Sequence, residues 1–185
     1  VLKDAEEAPE DLVREEVVEV VEEESLDEAL KKEPSIRMVS FTLAGREFTV
    51  PINAVQEVIR YVPTTMLPGS PVHFGGIVNI RGRVTPLIRL KPLLNIRDEK
   101  EHRATEQMDE LGNRFIIICR KKGLQMGLLV ESVTTMYTVE QDMIEWNIDS
   151  RMGGEVEFVT ALMRKGEELI GVVSIDRIAD KVLKS

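Results

Sequence analysis

The 185-residue sequence predicts a mainly β protein, two related small units packed together behind an acidic arm. Three observations lead there. Short alternating apolar and polar runs, the mark of half-buried strands, recur between glycine turns in the body of the chain. The pattern is duplicated: after Gly45 the residues Phe48, Val50, Ile52, Val55 and Val58 fall at offsets 3, 5, 7, 10 and 13, and after Gly123 the residues Met126, Leu128, Val130, Val133 and Met136 repeat those offsets. The ends of the halves match as well, Val84, Ile88, Leu90 and Leu93 aligning with Leu169, Val173, Ile175 and Ile178 at a constant shift of 85. A unit of about 60 to 70 residues buries too little surface to be comfortable alone, so the two should pack and leave a groove at their junction.

Residues 1–33 carry 14 Asp and Glu against 4 Lys and Arg, within a net charge of −9, so the body is close to neutral. Val13, Val17, Val20 and Val21 fall at helical spacing, and Ser25 to Glu28 has the form of a capping box. Like-charge repulsion and the thin apolar stripe predict a solvated arm, disordered or transiently helical, ending at Pro34.

The body spans 34–185. Its first unit, roughly 36–96, opens with a hairpin of Met38–Leu43 and Glu47–Ile52 joined through Ala44-Gly45-Arg46, then a Val55-x-x-Val58 crossing. A Pro-rich loop leads to two further strands and a short helix over Pro92–Ile96, with Pro92 at a first helical position. The polar segment 97–113 is the expected linker. The second unit, roughly 114–183, repeats this order and closes with a helix over Asp176–Leu183 carrying the stripe Ile175, Ile178, Ala179 and Val182. Eight methionines are present, of which Met126 and Met136 hold repeat positions and are expected to pack.

The most informative stretch is Gly75–Ile88. Alternation puts Ile77, Asn79 and Arg81 on one face and Val78 and Ile80 on the other, while Gly75 and Gly76 permit close approach of a partner backbone. Gly82 suits the left-handed position of a tight hairpin, expected as a type I turn with a bulge. Arg81 is then held at a turn with its fork free for a carboxylate. The stretch points to a binding surface; from spacing alone, an ordinary solvated turn arginine is the alternative.

Catalytic patterns do not emerge. His73 and His102 lack metal-ligand spacing, and no nucleophile elbow, phosphate loop or dinucleotide fingerprint is present. Asp109-Glu110 and Glu167-Glu168 read as solvated turn charges, and Met152-Gly153-Gly154 lacks the strand and helix that phosphate binding needs. Cys119, inside the apolar run Phe115–Cys119, reads as a buried thiol, and as the single cysteine it excludes an intrachain disulfide. Trp146 is read as cover for the seam between the units, or as an interface anchor. An acidic arm on a neutral body argues against nucleic acid as a partner. No apolar run reaches the about 18 residues a membrane helix needs, and no leader pattern opens the chain, so a soluble, cytoplasmic protein without membrane insertion is expected.

These residues carry a resemblance. NIRGRVTPLIRL resembles the Asn-Leu-Arg-Gly turn and Val-x-Pro-x-Ile-Asp-Leu strand of the CheW coupling proteins of bacterial chemotaxis and their CheW-like relatives. FTLAGREFTVPINAVQEVIR is similar to that family's opening hairpin and Val-Gln-Glu-Ile segment, and TTMLPGSPVHFGGIVNIRG to its Pro-rich approach to the turn. The likeness spans roughly 36–183. It implies two small five-stranded β-barrel subdomains and a noncatalytic, cofactor-free adaptor joining chemoreceptors to a CheA-type histidine kinase. It further implies that Arg81, Asn79 and Gly82 meet the receptor's cytoplasmic hairpin tip in the groove. Glu57, Gly75 and Gly76 would serve the kinase's regulatory domain, with recruitment to membrane receptor arrays. Arg89 stands where the family has aspartate, and Leu93-Leu94-Asn95 replaces its Arg-Phe-Gly-like ending. Two alternatives remain: a CheW-like module of a larger signalling or polar-localisation scaffold protein, the chain starting at Val1 without an initiator methionine, and a small-barrel nucleic-acid binder.

Overall fold

The computed structural model describes residues 23–96, 113–146, 148 and 156–185. Two-residue turns shape its hairpins. β1 (Ser35–Leu43) and β2 (Arg46–Pro51) meet at Ala44 and Gly45, β6 (Phe115–Lys121) and β7 (Leu124–Val130) at Lys122 and Gly123, and both residues of each turn have positive φ. That is the type I′ geometry, whose twist matches the flanking strands. The remaining strands are β3 (Val55–Arg60), β4 (Phe74–Ile80), β5 (Arg83–Arg89), β8 (Ser132–Glu140), β9 (Ile144–Trp146), β10 (Val159–Lys165) and β11 (Glu168–Val173).

Pairing runs β8-β1-β2-β11-β10-β9 in one sheet and β3-β6-β7-β5-β4 in the other. The duplication is present, but the halves exchange hairpins. β1–β2 joins the later strands β8, β10 and β11, whereas β6–β7 joins the earlier strands β3, β4 and β5. Repeat-equivalent strands hold equivalent places, down to the parallel contacts of β2 with β11 and β7 with β5. Segments 36–96 and 114–183 are therefore units of sequence and not of pairing. The apolar alternation is alike in both copies, so it does not say which copy a hairpin joins, and exchange buries both hairpins between the sheets.

Each sheet also curls onto itself. A single 3-10 turn, Gln141–Met143, links β8 to β9, so one run supplies both edges of the six-stranded sheet. In the other sheet the chain leaving β3 bridges back to β4, Thr65 and Ile77 exchanging backbone hydrogen bonds of 2.9 and 2.8 Å.

A shared core lies between the sheets and is built from equivalent positions: Phe41 and Cys119, Phe48 and Met126, Val50 and Leu128, Ile88 and Val173. Separate interiors hold Met38, Val139, Met163 and Val172 in one sheet and Val78, Ile80, Leu87 and Ile116 in the other. Strands such as β1 are buried on both faces for this reason. Not every repeat position is core. Val58 and Met136 are 39% and 60% exposed, and Val84 and Leu169 are 70% and 56% exposed, so these two apolar pairs face solvent in both copies, and Met136 does not pack as expected.

Short helices finish the fold. α1 (Leu26–Leu30) lies within the segment expected to be a solvated arm, yet Asp27 and Leu30 are buried and Leu26 packs on the core. Burial of one leucine contributes about 2 kcal/mol, which holds a turn of helix that would not persist alone. The capping box does not form; Ser25 Oγ donates to Asp176 instead, at 3.0 Å, and Glu28 pairs with Lys31. Residues 1–22 of the arm, and the linker except for its last residue, lie outside the described residues, as do His102 and Met152-Gly153-Gly154. α2 runs Leu90–Leu93, earlier than expected, with Pro92 within the first turn, where an amide hydrogen has no helical acceptor to lose. α3 (Ile175–Leu183) begins at Ser174, whose hydroxyl accepts from the Arg177 N–H.

Candidate protein-docking site

The β4–β5 turn is more tightly defined than its sequence suggested. Ile80 pairs directly with Arg83, and Arg81 and Gly82 have φ of 51° and 80°, so this too is a two-residue type I′ turn and not a bulged type I turn. Asn79 Oδ1 accepts the Gly82 N–H at 2.8 Å, bracing the loop from its own strand. Val78 and Ile80 are buried on the opposite face, as the alternation required.

Arg81 is held but not free. Its Nη2 donates to Glu57 Oε2 at 2.8 Å, with the arginine side chain 81% exposed and the glutamate 26% exposed. Residues expected on two separate faces thus meet in one ion pair. Val84, directly across from Asn79 in the β4–β5 register, adds exposed apolar surface.

Gly75 and Gly76 form the irregularity where β4 departs from regular pairing with β5. The close approach expected from a partner is made by this chain itself: a Cβ on Gly76 would lie 2.8 Å from Thr65 O and 2.9 Å from Thr64 Oγ1. Thr64 Oγ1 donates to Gly75 O at 2.9 Å. Their role inside the protein is to let the β3–β4 loop seal the sheet.

A cleft of about 990 Å³ lies elsewhere. Phe48, Tyr137, Val159, Leu162, Lys165 and Leu169 line it, and Arg81, Asn79 and Gly82 do not. Sequence spacing gave no hint of the polar cluster at its wall. Glu47 accepts from Ser40 Oγ, from Tyr137 Oη at 3.0 Å and from Lys165 Nζ at 3.1 Å. Burial works to raise the Glu47 pKa, but these hydrogen bonds outweigh it and hold the carboxyl below its ordinary value. At the repeat-equivalent position, Gln125 Nε2 donates to Thr85 Oγ1 at 2.8 Å.

Among the described residues no three His, Cys, Asp or Glu groups converge to hold a metal ion, and no helix is long and apolar enough to cross a membrane. The His73 imidazole is pushed down by burial and by the Lys181 charge. Trp146 is half-buried, its Nε1 donating to Gln141 Oε1 at 3.0 Å.

Two packed sheets thus present a braced turn and a cleft of mixed polarity at the surface. The CheW-like domain model matches residues 37–183, and the chain belongs to that family. It is 25% identical to the probable chemotaxis protein CheW of Rhizobium etli over 141 residues, 76% of this chain and 85% of the relative. It is 24% identical to chemotaxis protein CheW of Thermotoga maritima over 159 residues, 85% and 95% of the two chains. The crystal structure of the scaffolding protein TtCheW from Thermoanaerobacter tengcongensis superposes with a TM-score of 0.65 at 25% identity, covering 76% of this chain and 89% of that one. The family is one of noncatalytic chemotaxis adaptors.

Proposed function

We propose that this chain couples chemoreceptors to a CheA-type histidine kinase by binding both, and that it is recruited to membrane-bound receptor arrays through those contacts. The observation that carries this reading is the Arg81 turn, its backbone braced by the Asn79–Gly82 hydrogen bond and its guanidinium held by Glu57 yet left largely exposed, within a chain of the CheW-like family. Arg81 meets a carboxylate or backbone carbonyl of the receptor's hairpin tip, while Asn79 and Gly82 fix the shape of the turn that carries it. The surface around Glu57 receives the kinase's regulatory domain, and Gly75 and Gly76 act there by shaping β4. An exposed ion pair contributes only about 0.2–1 kcal/mol, so apolar contacts supply most of the affinity.

Co-sedimentation with a receptor cytoplasmic hairpin and with the kinase regulatory domain, offered as separate baits, tests the assignment. Capture by both is expected. Capture by neither would refute it.

A further inference from the structure

The N-terminal helix occupies a surface that belongs to the rest of the chain. Ser25 Oγ and the Asp27 N–H both donate to Asp176 Oδ2, at 3.0 and 2.9 Å, and Ser174 Oγ donates to Asp27 Oδ2 at 2.5 Å. From the β6–β7 hairpin, Lys121 Nζ donates to Glu24 O and the Lys122 N–H to Glu23 Oε2, both at 2.8 Å. At the other end Leu30 O accepts from Gln141 Nε2 as well as from the Glu33 N–H, and Leu30 fills the interior beside Met38 and Val139. The family match begins at residue 37, after this helix, while Lys121, Gln141, Ser174 and Asp176 lie within it. Helix and receiving surface are thus separable in sequence.

We propose that this surface is a helix-docking groove, filled in cis by α1, and that a short acidic helix of the same Ser-x-Asp-x-x-Leu spacing supplied in trans can take its place. Charge complementarity specifies the occupant. Lys121 Nζ, shared between Glu23 and Asp176, and the Lys122 N–H meet the acidic N-terminal end, the Lys122 ammonium being paired with Asp180; Ser174 reads the aspartate two residues after the serine, and the apolar interior reads the leucine one turn later. α1 contributes just five residues and connects to β1 through four, so its release need not disturb strand pairing.

A fluorescein-labelled peptide of residues 23–34 is titrated by anisotropy into the full chain and into its Leu30→Ala and Asp27→Ala variants. Weakening the cis helix raises the fraction of open groove, so the variants should bind the peptide about tenfold more tightly than the parent chain. Trp146, linked through Gln141 to the Leu30 carbonyl, should change emission as the parent chain's helix is displaced. A peptide bearing both substitutions should not bind. Equal binding to all three chains, binding of the doubly substituted peptide, or absence of saturable binding to folded variants would each overturn the proposal. Loss of β-sheet circular dichroism in both variants would make α1 an inseparable part of the fold, and would overturn it too.

Discussion

Arg81 and Glu57 form an ion pair of 2.8 Å that joins the β4–β5 turn to β3, strands at opposite ends of the five-stranded order. The pair sets the direction of the guanidinium more than it stabilises the fold. Glu57→Gln should change unfolding free energy by no more than about 1 kcal/mol, because the arginine end is solvated. It should, however, alter partner binding. Urea melts of parent and variant check the first part, and a loss of several kcal/mol would show that the pair is structural.

Glycines 76 and 82 should respond differently to alanine. Gly76 has φ of 105° and its new methyl would press on the Thr65 carbonyl, whereas Gly82, at φ 80°, has open space around it. Gly76→Ala should cost about 3 kcal/mol, and Gly82→Ala about 1–2 kcal/mol from backbone strain alone. Denaturant midpoints measured side by side would contradict this ordering if Gly82→Ala proved the more damaging.

Glu47 supplies a pH dependence of definite sign. Its folded pKa lies below the ordinary carboxylate value, so the stability it contributes is present above the unfolded value and lost as pH falls through the folded one. Thermal melts between about pH 6 and pH 3 should show a smaller acid loss for Glu47→Gln than for the parent. Parallel curves would locate the acid sensitivity elsewhere.

Cys119 should be chemically silent. It is fully buried, and desolvation pushes its thiol up to about 12. Aromatic disulfide reagents should label it only after denaturant is added; stoichiometric labelling of the native protein would mean that the shared core opens.

Duplication was readable in the chain because apolar alternation is local: Phe48 and Val50 rhyme with Met126 and Leu128 whatever they pair with. Hairpin exchange was not. The pairing of Thr49 with Val172 joins residues far apart in sequence, and no local pattern distinguishes it from the same contact within one half. Exposure was hidden for a related reason, since alternation identifies two faces but not which meets solvent, and Val84 and Leu169 turned outward together. The site turn was legible through Asn79, Arg81 and Gly82, whereas the Glu57 contact depends on how the sheet curls. Charge obscured α1: a glutamate-rich segment reads as solvated, and it is hydrogen bonds from Ser174 and Thr160, with the Arg177 charge, that offset the burial of Asp27.

Binding of the receptor hairpin to the parent chain and to Arg81→Ala, with melting curves recorded on the same samples, bears most directly on the account. An adaptor that docks through the β4–β5 turn predicts weakened receptor capture at an unchanged melting temperature. Undiminished capture by Arg81→Ala, with the fold intact, would contradict it.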